Sequence, residues 1–117
     1  MQKKGNKYGT HRVIEPKGLL TQAAKKIDNN MDEIYSNEIL CDVSALNIDS
    51  ASFTQIYEAC EKDLARTEQM ILDIVNERGK MQNPVTGSGG MFIGTVKEIG
   101  EDLQGKIDLK VGDKIAS

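Results

Sequence analysis

Two stretches of the chain alternate apolar and polar residues with the period of two that is typical of β-strands. The first covers residues 38–46 and places Ile39, Cys41, Val43 and Ala45 on one wholly apolar face. The second covers residues 91–99, where an internal glycine, Gly94, indicates that another backbone approaches closely. A shorter strand is predicted at residues 11–16, ended by a proline, and residues 111–116 are predicted to be a turn that enters a last short strand.

Between the two long strands the apolar spacing changes to that of a helix. The positions that recur at this spacing are Leu64, Ile71, Ile74 and Val75, and Arg78–Gly79 supplies the cation and glycine that commonly end a helix. Ser52 followed by Gln55 has the spacing of a capping box, which predicts a helix start at Ser52. We therefore expect a helical insert at about residues 52–79. The pattern leaves open whether residues 60–63 divide it into two helices.

Composition limits the classes of protein that fit. The 117 residues suffice for one domain, and with 38% hydrophobic residues and no Trp its core should be aliphatic. A net charge of -3, from 15 basic and 18 acidic residues, gives no basic face for nucleic acid or anionic membrane. No apolar run is long enough to span a bilayer, and residues 1–8 lack the apolar middle of a signal peptide, so we expect a cytoplasmic protein. Cys41 and Cys60 are expected to be reduced thiols.

A glycine cluster precedes the second long strand. Gly87, Gly89 and Gly90 can adopt positive φ at no steric cost and leave their amides pointing into one concavity. The cluster is not a phosphate loop, because Thr95 follows Gly94 where a lysine is required. It is not a dinucleotide fingerprint either, since Phe92 stands at the place of the third glycine. A simple tight turn remains the alternative.

The order of motifs in the second half resembles a known superfamily. Pro84, the glycine cluster, Gly94-x-Val96-x-x-x-Gly100 and the segment 111–116 are similar to the GroES-like catalytic domain of medium-chain dehydrogenases, the zinc alcohol dehydrogenase superfamily. Longer strings resemble the 3,5-diaminohexanoate dehydrogenase family over essentially the whole chain. These strings are KKGNKYGTHRVIEPKG, NIDSASF and RGKMQNPVTGSGGM.

This resemblance implies a fold and an activity. The fold would be mainly β, a GroES-like, partly open β-barrel with the helical insert, lacking the Rossmann domain of the longer family members. The whole enzyme would use NAD or NADP, bound mainly by that missing domain, to oxidise the 3-amino group of a diamino acid substrate in lysine fermentation, releasing ammonia and leaving a 3-oxo acid. The full-length enzyme would be a homo-oligomer, and residues 1–117 alone would be inactive.

The resemblance also predicts a site without zinc. In zinc-dependent relatives a cysteine ligand falls at the place of Asp49, and a Gly-His-Glu triplet falls on residues 89–91, which here are Gly-Gly-Met. The lone histidine, His11, is far off in sequence and is more typical of a surface or satisfied histidine than of a ligand. An amine needs no Lewis acid, because its ammonium has a pKa of about 10 and a carboxylate with some desolvation can expose the neutral form.

Asp49 is the residue on which this chemistry would depend. We hypothesise that it pairs with a substrate ammonium and accepts its proton, with Ser50 and Ser52 as neighbouring polar contacts. The remaining predicted substrate-binding residues are Thr86, Ser88, Gly89 and Gly90, whose amides could receive the substrate carboxylate, with Arg78 or Lys80 adding charge. The competing interpretation is that Asp49 only caps the helix that follows it.

Two other functions fit parts of the sequence. A stand-alone GroES-like module would bind a partner and catalyse nothing, but it should carry a mobile hydrophobic loop where this chain has a helical insert. A zinc-independent quinone or enone reductase would need an apolar pocket, in which an unpaired Asp49 carboxylate would cost several kcal/mol.

Overall fold

The computed structural model describes residues 2–117, which form a small mixed α/β domain. Its elements in chain order are β1 (Val13–Glu15), β2 (Lys26–Ile27), β3 (Ile39–Ile48), α1 (Ser50–Ala59), α2 (Leu64–Arg78), β4 (Gly90–Ile99) and β5 (Lys114–Ala116). Short 3-10 turns precede β1 at Thr10–Arg12 and follow β4 at Glu101–Leu103. The two long strands predicted from the alternation are therefore confirmed as β3 and β4.

The strands form two separate antiparallel sheets. β1 pairs with β2, and β3, β4 and β5 form a three-stranded sheet in that order. The prediction of a mainly β fold with a partly open barrel is only partly right, because within residues 2–117 the two sheets are not hydrogen-bonded to each other. β1 is too short to bridge them, since Pro16 follows it and has no N–H to continue a ladder. The GroES-like class stays a prediction.

A β-bulge changes one face of β3. The register shifts between Val43, which pairs with Gly94, and Ala45, which pairs with Ile93. Because cross-strand partners project to the same face, Ala45 turns away from the apolar face predicted for it, and Leu46 takes its place. The resulting apolar sheet face comprises Val43, Leu46, Phe92 and Ile115. It is poorly covered, since Val43 is 59% and Leu46 48% exposed.

The helices carry an aliphatic core of their own. Ile56, Cys60 and Ile74 are buried together, with Ile71 and Met81 packed against them. Glu61 and Lys62 adopt positive φ between α1 and α2, so residues 60–63 do divide the helical segment. α2 then ends at Gly79, which is left-handed with φ 76°, as predicted. No helix in residues 2–117 is both long enough and apolar enough to cross a bilayer.

Candidate functional site

Asp49 joins the end of β3 to the start of α1. Its backbone is extended, and its Oδ2 accepts a hydrogen bond from the Ser52 N–H at 3.4 Å, so Asp49 is the N-cap of α1. The capping box predicted for Ser52 and Gln55 is wrong, because the helix begins at Ser50 and Ser52 already lies within its first turn. The cap interpretation of Asp49 is confirmed, which leaves its chemical role as a separate question.

Ser52 turns its side chain towards the glycine loop and forms a cluster of hydroxyls there. The residue is fully buried, and its Oγ donates to the Ser88 carbonyl at 3.0 Å. The same Oγ lies 2.9 Å from Ser88 Oγ and 3.2 Å from Thr86 Oγ1, and these two are 2.8 Å apart. The structure thus brings together Asp49, Ser52, Thr86 and Ser88 as the sequence predicted. Ser50 stays exposed on the first turn of α1.

The hydroxyl cluster keeps Asp49 ionised. The Ser52 hydroxyl, and to a smaller extent that of Ser88, lower the pKa of the Asp49 carboxyl, while partial desolvation works in the opposite direction. Asp49 Oδ1 is buried and has no hydrogen-bond partner among residues 2–117. The carboxylate is therefore anionic at neutral pH and retains an acceptor without a donor. The same shift in pKa makes it a poorer proton acceptor than an ordinary aspartate.

The glycines of the loop mainly allow close packing. A Cβ on Gly89 would run into the Met81 carbonyl oxygen, and one on Gly90 would run into that of Asn47. Of the three glycines predicted to be free to take positive φ, only Gly87 does so, with φ 73°. Its N–H donates to the Asn83 carbonyl at 2.7 Å, so this amide is already used within the loop.

A cavity of about 400 Å³ opens beside the loop. Its lining residues are Gln22, Lys80, Met81, Gln82, Gly87, Ser88, Gly89 and Gly90. Asp49 lies behind this wall, since its N–H donates to the Gly89 carbonyl at 2.8 Å. Lys80 lines the cavity, but Arg78 does not: its guanidinium donates to the carbonyls of Lys25 at 2.8 Å and Gln82 at 2.9 Å.

Sequence reasoning missed Asn83, which holds the loop against α1. It is buried, with 1% exposed, and its Nδ2 donates to Gln55 Oε1 at 2.9 Å while its Oδ1 accepts from the Val85 N–H at 2.8 Å. The only signal in the sequence was the Asn-Pro pair that it forms with Pro84, which is typical of a turn. Asn83 therefore positions Thr86 and Ser88 without lining the cavity.

His11 lies at the other end of β3 from Asp49. Its Nε2 is 2.9 Å from Glu38 Oε2, and its Nδ1 accepts from the Asn6 N–H at 2.9 Å, so both ring nitrogens have partners. Among residues 2–117 no three His, Cys, Asp or Glu side chains are grouped so that they could hold a metal ion. Cys41 and Cys60 are both free thiols.

Comparison with known proteins shows which family of domains the chain belongs to. The family model that matches residues 11–117 is described as the L-erythro-3,5-diaminohexanoate dehydrogenase N-terminal domain, and the chain belongs to this family.

Two curated relatives carry the name L-erythro-3,5-diaminohexanoate dehydrogenase. The protein from Acetoanaerobium sticklandii is 71% identical over 114 residues, which are 97% of this chain and 33% of the relative. The protein from Fusobacterium nucleatum subsp. nucleatum is 71% identical over 115 residues, 98% of this chain and 33% of the relative. The chain thus spans about a third of the length of these relatives.

Proposed function

We propose that this chain is the N-terminal part of an enzyme that oxidatively deaminates L-erythro-3,5-diaminohexanoate. The 3-amino carbon would lose a hydride to NAD or NADP, water would replace the nitrogen, and ammonia and 5-amino-3-oxohexanoate would be released. The observation that carries the proposal is the 71% identity, along nearly the whole chain, to two dehydrogenases named for this substrate.

The dinucleotide itself does not fit these residues. Dinucleotide-binding folds use parallel strands joined by crossover helices, with the ligand at the carboxyl ends of the strands. All strand pairs in residues 2–117 are antiparallel, and Gly89 and Gly90 pack against backbone carbonyls. In our proposal the cofactor is therefore bound by the remainder of the longer enzyme, and residues 2–117 supply contacts to the substrate.

Asp49 and Ser88 are the contacts that suit an amine substrate. Ser88 lines the cavity, and Asp49 supplies a negative charge from directly behind the Ser88–Gly89 wall. A substrate ammonium at this wall would donate to the Ser88 hydroxyl and be stabilised by the Asp49 charge. Since the pKa of Asp49 is lowered, pairing with the ammonium is better supported than acceptance of its proton.

Activity of the full-length protein tests the proposal directly. It is incubated with L-erythro-3,5-diaminohexanoate and NAD or NADP, and the absorbance of the reduced nicotinamide is followed together with ammonia release. We expect both products in equal amounts. An enone reductase would instead consume reduced cofactor with an enone, and a binding module would show neither activity. Absence of turnover with the diamino acid would refute the proposal.

A further inference from the structure

Lys80 is the only charged side chain among the residues that line the 400 Å³ cavity. Its ammonium is partly buried and donates to two backbone carbonyls, Thr21 O at 2.6 Å and Gln22 O at 3.1 Å. An ammonium carries three N–H donors, so one remains for a ligand. The two carbonyls fix the position of Nζ. The cavity therefore contains a positive charge in a defined place, with one N–H of Lys80 still free to donate.

Gln82 holds the same wall in place. Both hydrogens of its side-chain amide are taken, since Nε2 donates to Gln22 O at 3.1 Å and to Gly87 O at 3.0 Å. Gln82 Oε1 is itself buried, so it is not open to a ligand in the cavity. Gln22 O accepts from both Lys80 and Gln82, so the ends of these two side chains lie within two hydrogen-bond lengths of each other.

We propose that this cavity is the recognition site for the amino acid zwitterion, with the carboxylate bound by Lys80 and the ammonium directed to the Ser88 hydroxyl on the side of Asp49. The proposal rests on the proposed function and extends it by assigning the substrate carboxylate to a residue. Lys80 and Ser88 line the same cavity, so a β-amino acid could contact both, one through its carboxylate and the other through its 3-ammonium.

The charges around the cavity agree with this orientation. Burial, and to a smaller extent the neighbouring Arg78, lower the pKa of Lys80. The positive charge of Lys80 is thus not fully balanced by its surroundings. A bound carboxylate would balance that charge. The negative charge of Asp49 lies behind the Ser88 side of the cavity, so the field along the cavity favours a ligand whose positive end points towards Ser88.

Kinetics of the full-length enzyme on two matched substrates test the assignment. Lys80→Met is compared with wild type on 3,5-diaminohexanoate and on its carboxamide, which lacks the negative charge. We expect KM for the carboxylate to rise by roughly 10- to 100-fold, the range for loss of a charge-assisted hydrogen bond, with a change of less than about 3-fold for the carboxamide. Lys80→Arg should restore much of the affinity. Lys110→Met, on an exposed lysine, is the matched control.

A binding measurement separates this inference from the proposed function. Acylation of each lysine of the wild-type full-length protein is mapped by mass spectrometry with and without 3-aminobutanoate, a β-amino acid that shares the carboxylate and 3-ammonium. Protection of Lys80 but not Lys110 supports the assignment even if no turnover is found, and it needs no variant that could fail to fold. Equal acylation with and without ligand, or equal KM changes for both substrates in Lys80→Met, would overturn it.

Discussion

Two carboxylates flank β3, and the protein surrounds them in different ways. Glu38 precedes the strand and accepts four hydrogen bonds: from Arg12 Nε and Nη2, each at 2.7 Å, from the Tyr35 N–H at 2.7 Å, and from His11 Nε2 at 2.9 Å. Asp49 follows the strand, and its Oδ1 is buried without a partner. Both pKa values are lowered, yet only Asp49 has an acceptor left.

The two environments show which carboxylate could take part in binding or catalysis. Each lone pair of a structural carboxylate is matched by a donor that the fold provides, and a ligand then has nothing to add. An ionised group with an unused acceptor costs free energy in the free protein, and a positively charged ligand that binds near it recovers part of that cost. By this criterion Glu38 holds the structure together and Asp49 is the candidate for substrate binding.

Removing Glu38 should have the largest effect on stability. Glu38→Ala leaves the Arg12 guanidinium, whose side chain is only 12% exposed, without its main partner. We expect the free energy of unfolding to fall by about 3 kcal/mol, the lower end for breaking a buried ion pair. Denaturant titration measures this, with Glu68→Ala on the exposed surface of α2 as the control, for which the change should stay within about 0.5 kcal/mol. Equal losses of stability in Glu38→Ala and Glu68→Ala would contradict the structural role of Glu38.

Asp49→Asn should affect turnover instead. Asparagine caps a helix as well as aspartate does, so the substitution removes the charge and keeps the cap. In the full-length enzyme we expect kcat/KM for the diamino acid to fall on the order of 100-fold, with little loss of stability. Unchanged turnover in this variant would leave Asp49 with the cap role alone.

Acid should reveal Glu38 through its pKa. Arg12 lowers the pKa of Glu38 from 4.5 to about 2, so the ionised form is stabilised in the folded protein. The stability that this supplies is present above pH 4.5 and is lost as the pH falls towards 2. A shift of this size corresponds to roughly 3 kcal/mol across that window. Unfolding measured between these pH values should show the slope in wild type, and Glu38→Gln should reduce it; an unchanged slope would contradict the assignment.

The smallest effect concerns the cap itself. Asp49→Ala removes the acceptor for the Ser52 N–H and should lower the melting temperature by a few degrees, whereas Asp49→Asn should lower it much less. Thermal unfolding of the two variants side by side measures the difference. Equal destabilisation would mean that the charge of Asp49, and not its hydrogen bond, stabilises α1.

The elements that the sequence predicted well are those set by local pattern. Alternation located β3 and β4, and a cation followed by glycine located the end of α2. The break between the helices was not readable, because Glu61 and Lys62 adopt positive φ without being glycine. The bulge after Val43 was hidden too, since only its pairing with β4 reveals it.

The two carboxylate sites show the same limit. Asp49 could be singled out because the resemblance marked its position, and its cap role follows from the residues next to it. The Glu38 network depends on Arg12, which is 26 positions away in sequence, and on a fold that brings both together. The sequence indicated Lys80 as a possible charge at the site but did not indicate Gln82. Nothing in the sequence shows which carbonyls will orient these two side chains.

The bulged strand also bears on how this domain behaves in solution. Val43 and Leu46 are about half exposed and lie beside Phe92 and Ile115. The 117-residue domain, whose net charge is -3, therefore presents a continuous apolar surface to solvent. Contiguous uncovered apolar surface promotes self-association and dye binding. Threonine at both exposed positions would keep the β-branched shape that strands favour and make the isolated domain easier to handle at high concentration.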